Sequence, residues 1–357
     1  MIYDFIVVGA GSAGAHSAYF LKKMGAKVLV LEQNGIASGA SGAAGAFISP
    51  RLGRGGVLQK VTNEAFRFSI DFYKKNFPNL FYQTGLLRVP KDENDAKKFD
   101  DFKRFLDVEY KFLDPSEING FSDEAKKFGG FLFKEAGVVD AKKVCEGLLK
   151  DIEVKIFKVS ELKKDGDNFN INGFKSKNVI LATGAWDELF DKSYIKISKV
   201  GGIRFDIRSQ IDIPFSIHKK ISISKKISNK IIIGATHTRI DDLNESYIKP
   251  NISLIDEAKK MVYFKEIEVT QLFCGVRSSV NDHLPIIGTM IDLKKYLNSK
   301  KIEKIDGLYV INGLGGRGFV FGPYLAKMLV DFILNEKDID KRVDMDRYFY
   351  RYIKRRI

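Results

Sequence analysis

The chain opens with a run of apolar residues at positions 5–8, which predicts a buried strand. The segment GAGSAG follows at positions 9–14, and apolar residues at helical spacing continue from 15 to 24. A second apolar run at 28–31 closes on Glu32. Strand, glycine turn, helix, strand and acid in this order are typical of a dinucleotide-binding βαβ unit.

Each part of this pattern has a physical role in such a unit. Gly9 permits the tight turn, Gly11 lets the backbone approach a pyrophosphate, and Gly14 lets the helix pack closely on the strand. The helix N-terminus offers unpaired N–H groups and the positive end of its dipole to the phosphates. Glu32 is placed to accept hydrogen bonds from ribose hydroxyls, which also argues against a ribose 2′-phosphate.

Three later stretches combine apolar strands with small residues. The segment at 35–46, directly after the second strand, is nearly free of large side chains. The apolar strand at 179–181 ends in the small residues 182–185. The strand at 307–311 leads into GLGGRGF at 313–319 and then a helix with an apolar face. Turns of this composition are where a protein backbone can lie against a flat ligand.

The remaining pattern divides into helical segments and alternating ones. Helices are predicted at 60–76, 92–112, 253–264 and from an N-capping Asp140 to 150, and strands at 85–90, 129–133 and 154–160. From 199 to 233 apolar and polar residues alternate between polar turns. This alternation predicts an antiparallel sheet that is distinct from the parallel one.

Length and composition set the limits of the interpretation. A chain of 357 residues with 45% hydrophobic residues can bury a substantial core, and its length suggests two domains or one elaborated domain. It contains no run of about eighteen apolar residues, so we expect no membrane span. The N-terminus lacks the basic region and cleavage site of a signal peptide.

The cysteines and histidines are few and scattered. Cys145 and Cys274 lie far apart without a CxxC motif, which fits a reducing cytoplasm better than a disulfide framework. With only four histidines beside them, they form no metal-binding constellation. We therefore predict a cytoplasmic protein without a structural metal.

The formal net charge is +14, and its meaning depends on where the charge lies. It fits a polyanionic partner such as nucleic acid, and it equally fits a lysine-rich bias that coats the surface. The C-terminal residues 346–357 interleave basic and aromatic side chains. A helix here would place its cations near one face beside Tyr348 and Tyr352, as in a nucleic-acid contact or in a solvated terminal helix. These cations are Arg347, Arg351, Lys354 and Arg355.

The GAGSAG turn with Glu32, the small-residue loop at 35–46, the strand end at 179–185 and GLGGRGF resemble the FAD-dependent D-amino-acid oxidase and glycine oxidase superfamily. So do GATHTR at 234–239 and GVRSSVNDHLPIIG at 275–288, and all of these segments occur in order over the whole chain. The resemblance implies an α/β fold of D-amino-acid oxidase type: a Rossmann-like FAD-binding domain interleaved with a mainly antiparallel α+β substrate domain. The FAD-binding domain is then expected at 1–79, 136–196 and 272–357, and the substrate domain at 80–135 and 197–271.

A narrower resemblance rests on CGVR at 274–277 followed by DHLP at 282–285, on the Gly-Ala-Ser-Gly loop and on the basic-aromatic ending. These are similar to the oxidase half of the bifunctional enzymes that make 5-methylaminomethyl-2-thiouridine in tRNA. With the net charge, this similarity favours tRNA as a partner. We expect no membrane partner, and we favour a monomer, although the sequence does not reveal the oligomeric state.

The sequence also departs from that narrower family. The bifunctional enzymes carry an N-terminal methyltransferase half, whereas this sequence begins at the flavin-binding strand. A separate methyltransferase is therefore expected to act downstream if methylation follows. The loop after Glu32 has Ala43-Ala44 where that family has Asn-Arg-Gln.

The resemblance implies a reaction in which an amine carbon next to a carboxylate is oxidised by hydride transfer to the flavin. Water hydrolyses the resulting imine, which on a carboxymethylaminomethyl uridine releases glyoxylate and leaves aminomethyl uridine. The flavin carries this chemistry, and the protein supplies position and field. We expect noncovalent FAD, because the segment 41–44 has no histidine to which the flavin ring could be attached. Cys274 could form a covalent bond to the flavin, but only its location in the sequence supports this.

Three arginines are candidates for the substrate and the reduced flavin. Arg277 lies where family members hold the substrate carboxylate, for which a guanidinium is a bidentate partner; the alternative is a structural ion pair with Asp282. Arg317, in a glycine turn before a helix, suits negative charge on the reduced flavin, or else is a surface turn residue. Arg51 is a weaker candidate for substrate or phosphate.

The matching positions give the full set of expected contacts. We expect FAD to contact Gly9, Ala10, Gly11, Ser12, Ala13, Gly14, Glu32, Gln33, Ser41, Gly42, Val159, Ala182, Thr183, Gly184, Gly315, Gly316, Arg317, Gly318 and Phe319. We expect substrate or tRNA to contact Arg51, Arg277, Arg347, Arg351, Lys354 and Arg355, with Arg277 and Arg317 as the catalytic pair.

Three functions remain open at this point. The first is a tRNA-modifying flavin oxidase that acts on the carboxymethylaminomethyl group of a wobble uridine. The second is a small-molecule glycine, sarcosine or D-amino-acid oxidase or dehydrogenase whose basic charge is only compositional. The third is a flavin-bearing RNA-binding protein without catalysis.

Overall fold

The computed structural model describes residues 1–185, 189–191, 193–240 and 253–355. Its strands are β1 Ile2–Val8, β2 Val28–Glu32, β3 Phe47–Ile48, β4 Phe81–Tyr82, β5 Leu86–Arg88, β6 Lys111–Leu113, β7 Gly130–Phe133, β8 Gly137–Val139, β9 Glu153–Ile156, β10 Lys163–Asp165, β11 Asn168–Ile171, β12 Phe174–Leu181, β13 Ile197–Arg208, β14 Ser216–His218, β15 Ser222–Ile223, β16 Ile231–Gly234, β17 Thr238–Ile240, β18 Glu268–Val280, β19 Ile286–Ile291 and β20 Lys304–Asn312. Trp186, at the end of one predicted turn, and Arg356 and Ile357 of the tail lie outside the described residues.

The helices connect and flank these strands. They are α1 Ser12–Lys23, α2 Val57–Asn76, α3 Glu93–Phe105, α4 Asp123–Lys126, α5 Ala141–Leu149, α6 Ser253–Lys259, α7 Leu293–Ser299, α8 Gly318–Asn335 and α9 Asp346–Lys354. Single 3₁₀ turns span Pro115–Glu117 and Gly315–Arg317.

The chain forms two compact units. The first comprises Met1–Gly42, Lys142–Val200 and Val276–Ile357, and the second comprises Ala43–Ala141 and Gly201–Gly275. The predicted FAD-binding domain includes 43–79, 136–141 and 272–275, which lie in the second unit, and the predicted substrate domain includes 197–200, which lie in the first. Within the second unit, β3 and β4 both pair with β8 in a small antiparallel sheet. The assignment of the units to FAD and to substrate stays a prediction.

The first unit is built on a parallel sheet with the strand order β9-β2-β1-β12, beside which β20 also pairs in parallel with β12. In β1, residues Ile6 and Val7 are fully buried, and in β2 the same holds for Leu29 and Val30. Continuous apolar runs of this kind suit strands that are covered on both faces. The antiparallel strands β10 and β11 extend one edge, and β19 pairs antiparallel with β20.

The second unit contains a larger, mainly antiparallel sheet. Its strand order is β17-β13-β16-β15-β14-β5-β7-β6, and β18 also pairs with β13. The register of β13 with β16 is antiparallel, as the alternating pattern after residue 199 predicts, and β5 also pairs antiparallel with β7. The predicted α/β fold class, with its parallel and antiparallel parts, is thereby confirmed.

Two predicted helices are too long, and the one expected at 253–264 ends at Lys259. The helix expected at 92–112 ends at Phe105, and residues 111–113 form β6 against β7. Phe112 lies opposite Phe131 in this pair, with the two rings edge to face at 5.3 Å. Packing on a buried aromatic strand therefore overrides the helical tendency of the charged residues before it.

Helix α8 is the longest apolar helix of the first unit. The segment Gly315–Asn335 is long and apolar enough to cross a membrane, and 56% of its most apolar window is buried inside the protein. Core helices meet the same criterion of length and composition. Its Gly318 and Gly322 approach Ser12 of α1, so the two helices pack on each other.

The last helix is fixed to the first unit by two different contacts. On its apolar face, the ring of Phe349 lies edge to face with Tyr194 at 5.3 Å and Tyr296 at 5.0 Å. On its polar face, Arg347, Tyr348 and Arg351 all bind the carboxylate of Asp282, in the turn between β18 and β19. We refer to Asp282, Arg347, Tyr348 and Arg351 as the C-terminal clamp.

The charge of Asp282 is stabilised by its partners. Burial by itself raises the pKa of this carboxyl, but hydrogen bonds and charge from Arg347, with hydrogen bonds from Tyr348 and Arg351, lower it to about 2. An unfolded aspartate titrates near about 3.9. The ionised clamp therefore contributes its full stability above about pH 5, and this contribution is lost as the pH falls towards 2.

We expect Asp282→Asn to lower the free energy of unfolding by about 2–3 kcal/mol at pH 7, because it removes the charge and leaves the buried guanidinium of Arg347 unpaired. The difference from the parent protein should shrink as the pH is lowered from about 5 to 2. Urea unfolding at several pH values measures both effects. The control Asp101→Asn, which breaks an exposed pair with Arg54, should cost less than about 1 kcal/mol. A loss that is equal at every pH would contradict the role of the Asp282 charge.

Candidate active site

The parallel strands of the first unit bring the predicted cofactor residues to one edge of the sheet. Residues 9–14 follow β1, 33–42 follow β2, 182–184 follow β12 and 313–319 follow β20. Val159 lies three residues beyond the end of β9. Ligands of open α/β sheets bind outside the carboxyl ends of the strands, where the strand order reverses. In this sheet the order reverses between β1 and β12.

The turn after β1 is possible only with glycine. Gly9 has a φ of 108°, and a Cβ there would lie 2.5 Å from the carbonyl oxygen of Ala182. A Cβ on Gly14 would lie 1.9 Å from the carbonyl oxygen of Gly9 and 3.3 Å from Cβ of Ala182. These contacts hold α1 against the ends of β1 and β12, as the sequence predicts for the first and third glycines.

Two helix N-termini meet at this edge. Gly11 precedes α1 and has no side chain to cap it, and the backbone N–H of Ser12 donates to Oγ of Ser41 at 2.8 Å. The hydroxyl of Ser12 donates to the carbonyl oxygen of Gly318 at 2.7 Å, at the start of α8. The positive ends of two helix dipoles therefore point at the same region, which favours an anionic group there.

His16 is a buried residue that the sequence analysis did not assign. Its Nδ1 lies 2.7 Å from the carbonyl oxygen of Ser12 and 3.0 Å from where a Cβ on Gly322 would be. Burial lowers its pKa to about 4, so the imidazole is neutral at pH 7. A neutral ring within the α1–α8 contact is a packing residue, and its position one helical turn after Ser12 is the only sequence signal for it.

Glu32 sits at the end of β2 with its carboxylate already oriented. It accepts hydrogen bonds from the backbone N–H of Ala10 at 2.8 Å and from that of Asn34 at 3.0 Å. The acid thus links the glycine turn to the loop after β2. A carboxylate oxygen has more than one acceptor site, so the same group can also accept from a ribose hydroxyl.

The turns after β12 and β20 are joined by a residue that the sequence analysis missed. Asn312 is 2% exposed, and its side-chain amide donates to the carbonyl oxygen of Gly184 at 2.9 Å. The side-chain oxygen Oδ1 of Asn312 accepts a hydrogen bond from the backbone N–H of Gly313 at 2.7 Å. The sequence signal for this role is an asparagine at the end of an apolar strand. A buried side-chain amide needs an acceptor for its NH₂ group and a donor for its oxygen.

The exposed backbone at these turns fits a flat cofactor. A Cβ on Gly184 would meet no atom within 4 Å, and one on Gly315 would meet only Oγ of Ser279, at 3.9 Å. Both glycines have positive φ values, of 61° and 56°. Open backbone at two turns, beside two helix N-termini and a carboxylate, is what a dinucleotide with a ring system requires.

Arg277 lies beside the glycine turn after β20. The position of a Cβ on Gly316 is 3.8 Å from Cδ and 3.9 Å from Nε of Arg277. The side chain is half-buried, and burial lowers the pKa of its guanidinium. The carboxylate of Asp282, the alternative partner of Arg277, accepts hydrogen bonds from Arg347, Tyr348 and Arg351. Arg317 is half-buried and belongs to the same turn, next to Gly316.

The C-terminal clamp corrects part of the predicted tRNA contact. The side chain of Arg347 is only 12% exposed, and it donates to Asp282, to the carbonyl oxygen of Leu284 at 2.6 Å and to that of Pro285 at 3.1 Å. Tyr348 is buried, and the ring of Tyr352 stacks on Phe349 within the core. Arg347, Tyr348 and Tyr352 are therefore structural residues, since intramolecular partners use their polar and apolar surfaces.

The rest of the tail is accessible. Lys354 and Arg355 are exposed, and the guanidinium of Arg351 is 51% exposed although it pairs with Asp282. In the described part of α9, the aromatic residue Tyr350 is also exposed, with 51% of its surface accessible. The predicted helix is thus present. The spacing predicts one exposed surface with cations beside Tyr348 and Tyr352, but these two tyrosines pack inward, so this combined surface does not form.

The second unit holds two further arginines of interest. The backbone N–H of Arg51 donates to Oδ1 of Asn63 at 2.8 Å, which fixes the chain at this weaker candidate. Arg204, which the sequence analysis missed, is buried, and its Nε lies 3.1 Å from Oδ1 of Asp206. The guanidinium of Arg204 also donates to the carbonyl oxygen of Ala44 and lies over the ring of Phe273 at 3.8 Å. It therefore anchors the end of the small-residue loop.

Comparison with known proteins agrees with this geometry. The family model described as DAO, FAD dependent oxidoreductase, matches residues 4–332. The chain is 24% identical to the tRNA 5-methylaminomethyl-2-thiouridine biosynthesis bifunctional protein MnmC of Maricaulis maris, over 92% of this chain and 51% of that protein. It is 26% identical to the protein of the same name from Leptospira interrogans, over 98% of this chain and 61% of that protein. The chain thus spans little more than half the length of these relatives.

A solved structure agrees with the fold. Glycine oxidase from Bacillus cereus superposes with a TM-score of 0.77 at 19% identity, covering 94% of this chain and 96% of that one. At this identity the likeness concerns the fold alone. The family match covers most of the sequence. It includes every glycine turn at the cofactor edge, since all of these turns lie before residue 332. The chain therefore belongs to the DAO family of FAD-dependent oxidoreductases.

Proposed function

We propose that this chain is an amine oxidase acting on the carboxymethylaminomethyl group of a wobble uridine in tRNA. The observation that carries the proposal is Arg277 beside Gly316, because it sets a half-buried guanidinium at the cofactor edge, ready for a carboxylated amine. The tRNA part of the proposal is supported by relatives whose names describe tRNA modification. The reaction we propose takes place in the cytoplasm, where tRNA is found.

FAD, when bound, accepts the hydride from the carbon next to the amine nitrogen. The role of Arg277 is to hold the substrate carboxylate through two parallel N–H···O bonds, which fixes the orientation of that carbon. Half-burial strengthens these bonds, because a guanidinium that is partly removed from water interacts more strongly with an anion. The guanidinium stays protonated at pH 7. Burial lowers its pKa, but the ordinary pKa of a guanidinium lies far above 7.

Arg317 and the start of α8 belong to the same glycine turn and have a different proposed role. Arg317 precedes the helix directly, so its charge adds to the positive end of the helix dipole. Together they are suited to stabilise negative charge that develops on a bound ring system. Arg51 remains a candidate for a further contact to substrate or phosphate.

The cofactor contacts follow from the same edge. The N–H groups at Gly11 and Ser12 suit the pyrophosphate, and Glu32 suits the ribose hydroxyls. The other proposed contacts are Gly9, Ala10, Ala13, Gly14, Gln33, Ser41, Gly42, Val159, Ala182, Thr183, Gly184, Gly315, Gly316, Arg317, Gly318 and Phe319. We propose that FAD is held noncovalently by these groups.

The proposed tRNA contact is smaller than the spacing of the tail first indicated. Arg351, Lys354 and Arg355 remain as exposed cations of α9, and Tyr350 is an exposed ring on the same helix. Phosphate contacts by such cations supply affinity that falls with salt. The net charge of +14 supports a polyanionic partner without showing where it binds.

The second candidate is a small-molecule glycine, sarcosine or D-amino-acid oxidase or dehydrogenase. The burial of Arg347 and Tyr348 favours it, because it removes two residues from the proposed RNA contact. The fold likeness to a glycine oxidase is equally compatible with it. Both candidates need the same carboxylate site at Arg277.

We expect Arg277→Lys to raise KM for a carboxylated amine about 100-fold, because an ammonium cannot form the bidentate pair, while FAD content stays near one per chain. Steady-state kinetics and the flavin absorbance of the purified variant measure both quantities. The control Arg208→Lys changes an exposed pair with Glu268 and should leave KM within twofold. An unchanged KM in the Arg277 variant would remove the carboxylate role.

The tRNA proposal predicts a specific change in nucleosides. When the FAD-loaded protein is incubated with tRNA from cells that lack it, carboxymethylaminomethyl uridine should decrease and aminomethyl uridine should appear, as measured by mass spectrometry. Free glycine and sarcosine serve as competing substrates. Persistence of the carboxymethylaminomethyl nucleoside, together with turnover of a free amino acid and binding of tRNA that does not respond to salt, would favour the second candidate.

A further inference from the structure

The C-terminal clamp acts on one turn of the chain, residues 281–285. Arg347 donates Nε to Oδ2 of Asp282 at 3.1 Å, and it donates Nη2 to Oδ1 of Asp282 at 3.3 Å and to the carbonyls of Leu284 and Pro285. The N–H of Leu284 in turn donates to Oδ1 of Asp282 at 3.2 Å. A single guanidinium thus fixes both ends of a five-residue turn, in which His283 has a φ of 58°.

This turn touches the proposed cofactor edge. The methyl groups of Val280, the last residue of β18, lie 3.2 and 3.3 Å from where a Cβ on Gly313 would be. On the other side of the turn, Ile286 pairs with Asn312, whose amide binds the carbonyl of Gly184. The turn is therefore packed directly on the glycine turn after β20 and is one residue removed from the turn after β12.

Arg277 lies on the same strand, three residues before Val280. Its guanidinium is carried by a backbone whose end is set by the clamped turn, and its Cδ lies 3.8 Å from where a Cβ on Gly316 would be. A displacement of about 1 Å in a group that orients substrate can cost about 100-fold in rate. The position of the end of β18 is therefore directly relevant to Arg277.

We propose that the C-terminal clamp is a positioning device, in which Arg347 holds the 281–285 turn so that Arg277 meets the carboxylate of the substrate at the correct distance. This inference rests on the proposed role of Arg277. Neither Arg347 nor Asp282 needs to touch the substrate. They are positioning residues that act through β18.

The attachment of α9 and the positioning of the turn are separable. Phe349, with its contacts to Tyr194 and Tyr296, holds the helix through apolar packing that does not involve Asp282. The polar clamp is directed at the turn instead. Variants of the clamp are thus expected to leave α9 in place and to change the geometry of the turn.

The test uses the FAD-loaded protein and acetate as a simple carboxylate probe, with the shift of the flavin absorbance as the signal. We expect Arg347→Lys to bind acetate about 10-fold more weakly than the parent protein, because lysine cannot bind Asp282 and the two carbonyls together. Hydrogen exchange of residues 276–286, measured by mass spectrometry, should become faster in this variant. FAD content should stay within twofold of the parent protein.

The matched control is Lys304→Gln, which breaks the ion pair of Lys304 with Asp346 at the start of the same helix, 2.8 Å apart. Acetate affinity and exchange at 276–286 should be unchanged in this control. An Arg347→Lys protein that binds acetate like the parent protein would overturn the proposal. If Arg347→Lys does not fold, Arg351→Gln removes the exposed arm of the clamp. About threefold weaker acetate binding by it supports the proposal, and unchanged binding overturns it.

A parallel titration of Arg277→Lys separates this inference from the proposed function. Weaker acetate binding in Arg277→Lys, combined with normal binding in Arg347→Lys, would overturn only the positioning role. Normal acetate binding in Arg277→Lys would overturn the carboxylate site and the inference with it. The same holds if the parent protein gives no flavin signal with acetate up to molar concentration.

Discussion

The close approach of backbone to backbone at Gly9 and Gly14 is the constraint on which the first unit depends. A side chain at Gly14 would lie 1.9 Å from the carbonyl oxygen of Gly9, so α1 can start where it does only because both positions lack Cβ. The start of α1 in turn sets Ser12, whose hydroxyl binds Gly318 at the start of α8. Two helix N-termini are thereby fixed at the same edge of the parallel sheet.

From this contact the rest of the site follows by direct bonds. Glu32 ties the loop after β2 to Ala10, and Asn312 ties the turn after β20 to Gly184. Segments that are as much as 306 residues apart in the sequence are thus held together by single hydrogen bonds between a side chain and a backbone group. Such bonds are worth more when buried, because each unpaired partner would pay the full cost of desolvation.

The cationic residues of this chain show why charge must be located before it is interpreted. Arg277, Arg204 and Arg347 are all wholly or partly buried, and each lies beside a different kind of group: a glycine turn, a loop carbonyl with an aspartate, and the 281–285 turn. Arginine can do this because its planar fork offers several donors to fixed acceptors. Spacing alone cannot distinguish these arginines from exposed ones such as Arg355.

The sequence by itself determined the local features, which are the βαβ unit at the N-terminus, the glycine turns and the alternating second sheet. Local sterics and hydrophobic period fix these features, and both can be read from neighbouring residues. Only the tertiary structure decided that the helix at 92–112 ends early, that Asn312 and His16 are buried at the site, and that Arg347 binds Asp282 rather than facing solvent. These outcomes depend on partners distant in the chain, and no local pattern specifies which distant group a buried polar side chain will meet.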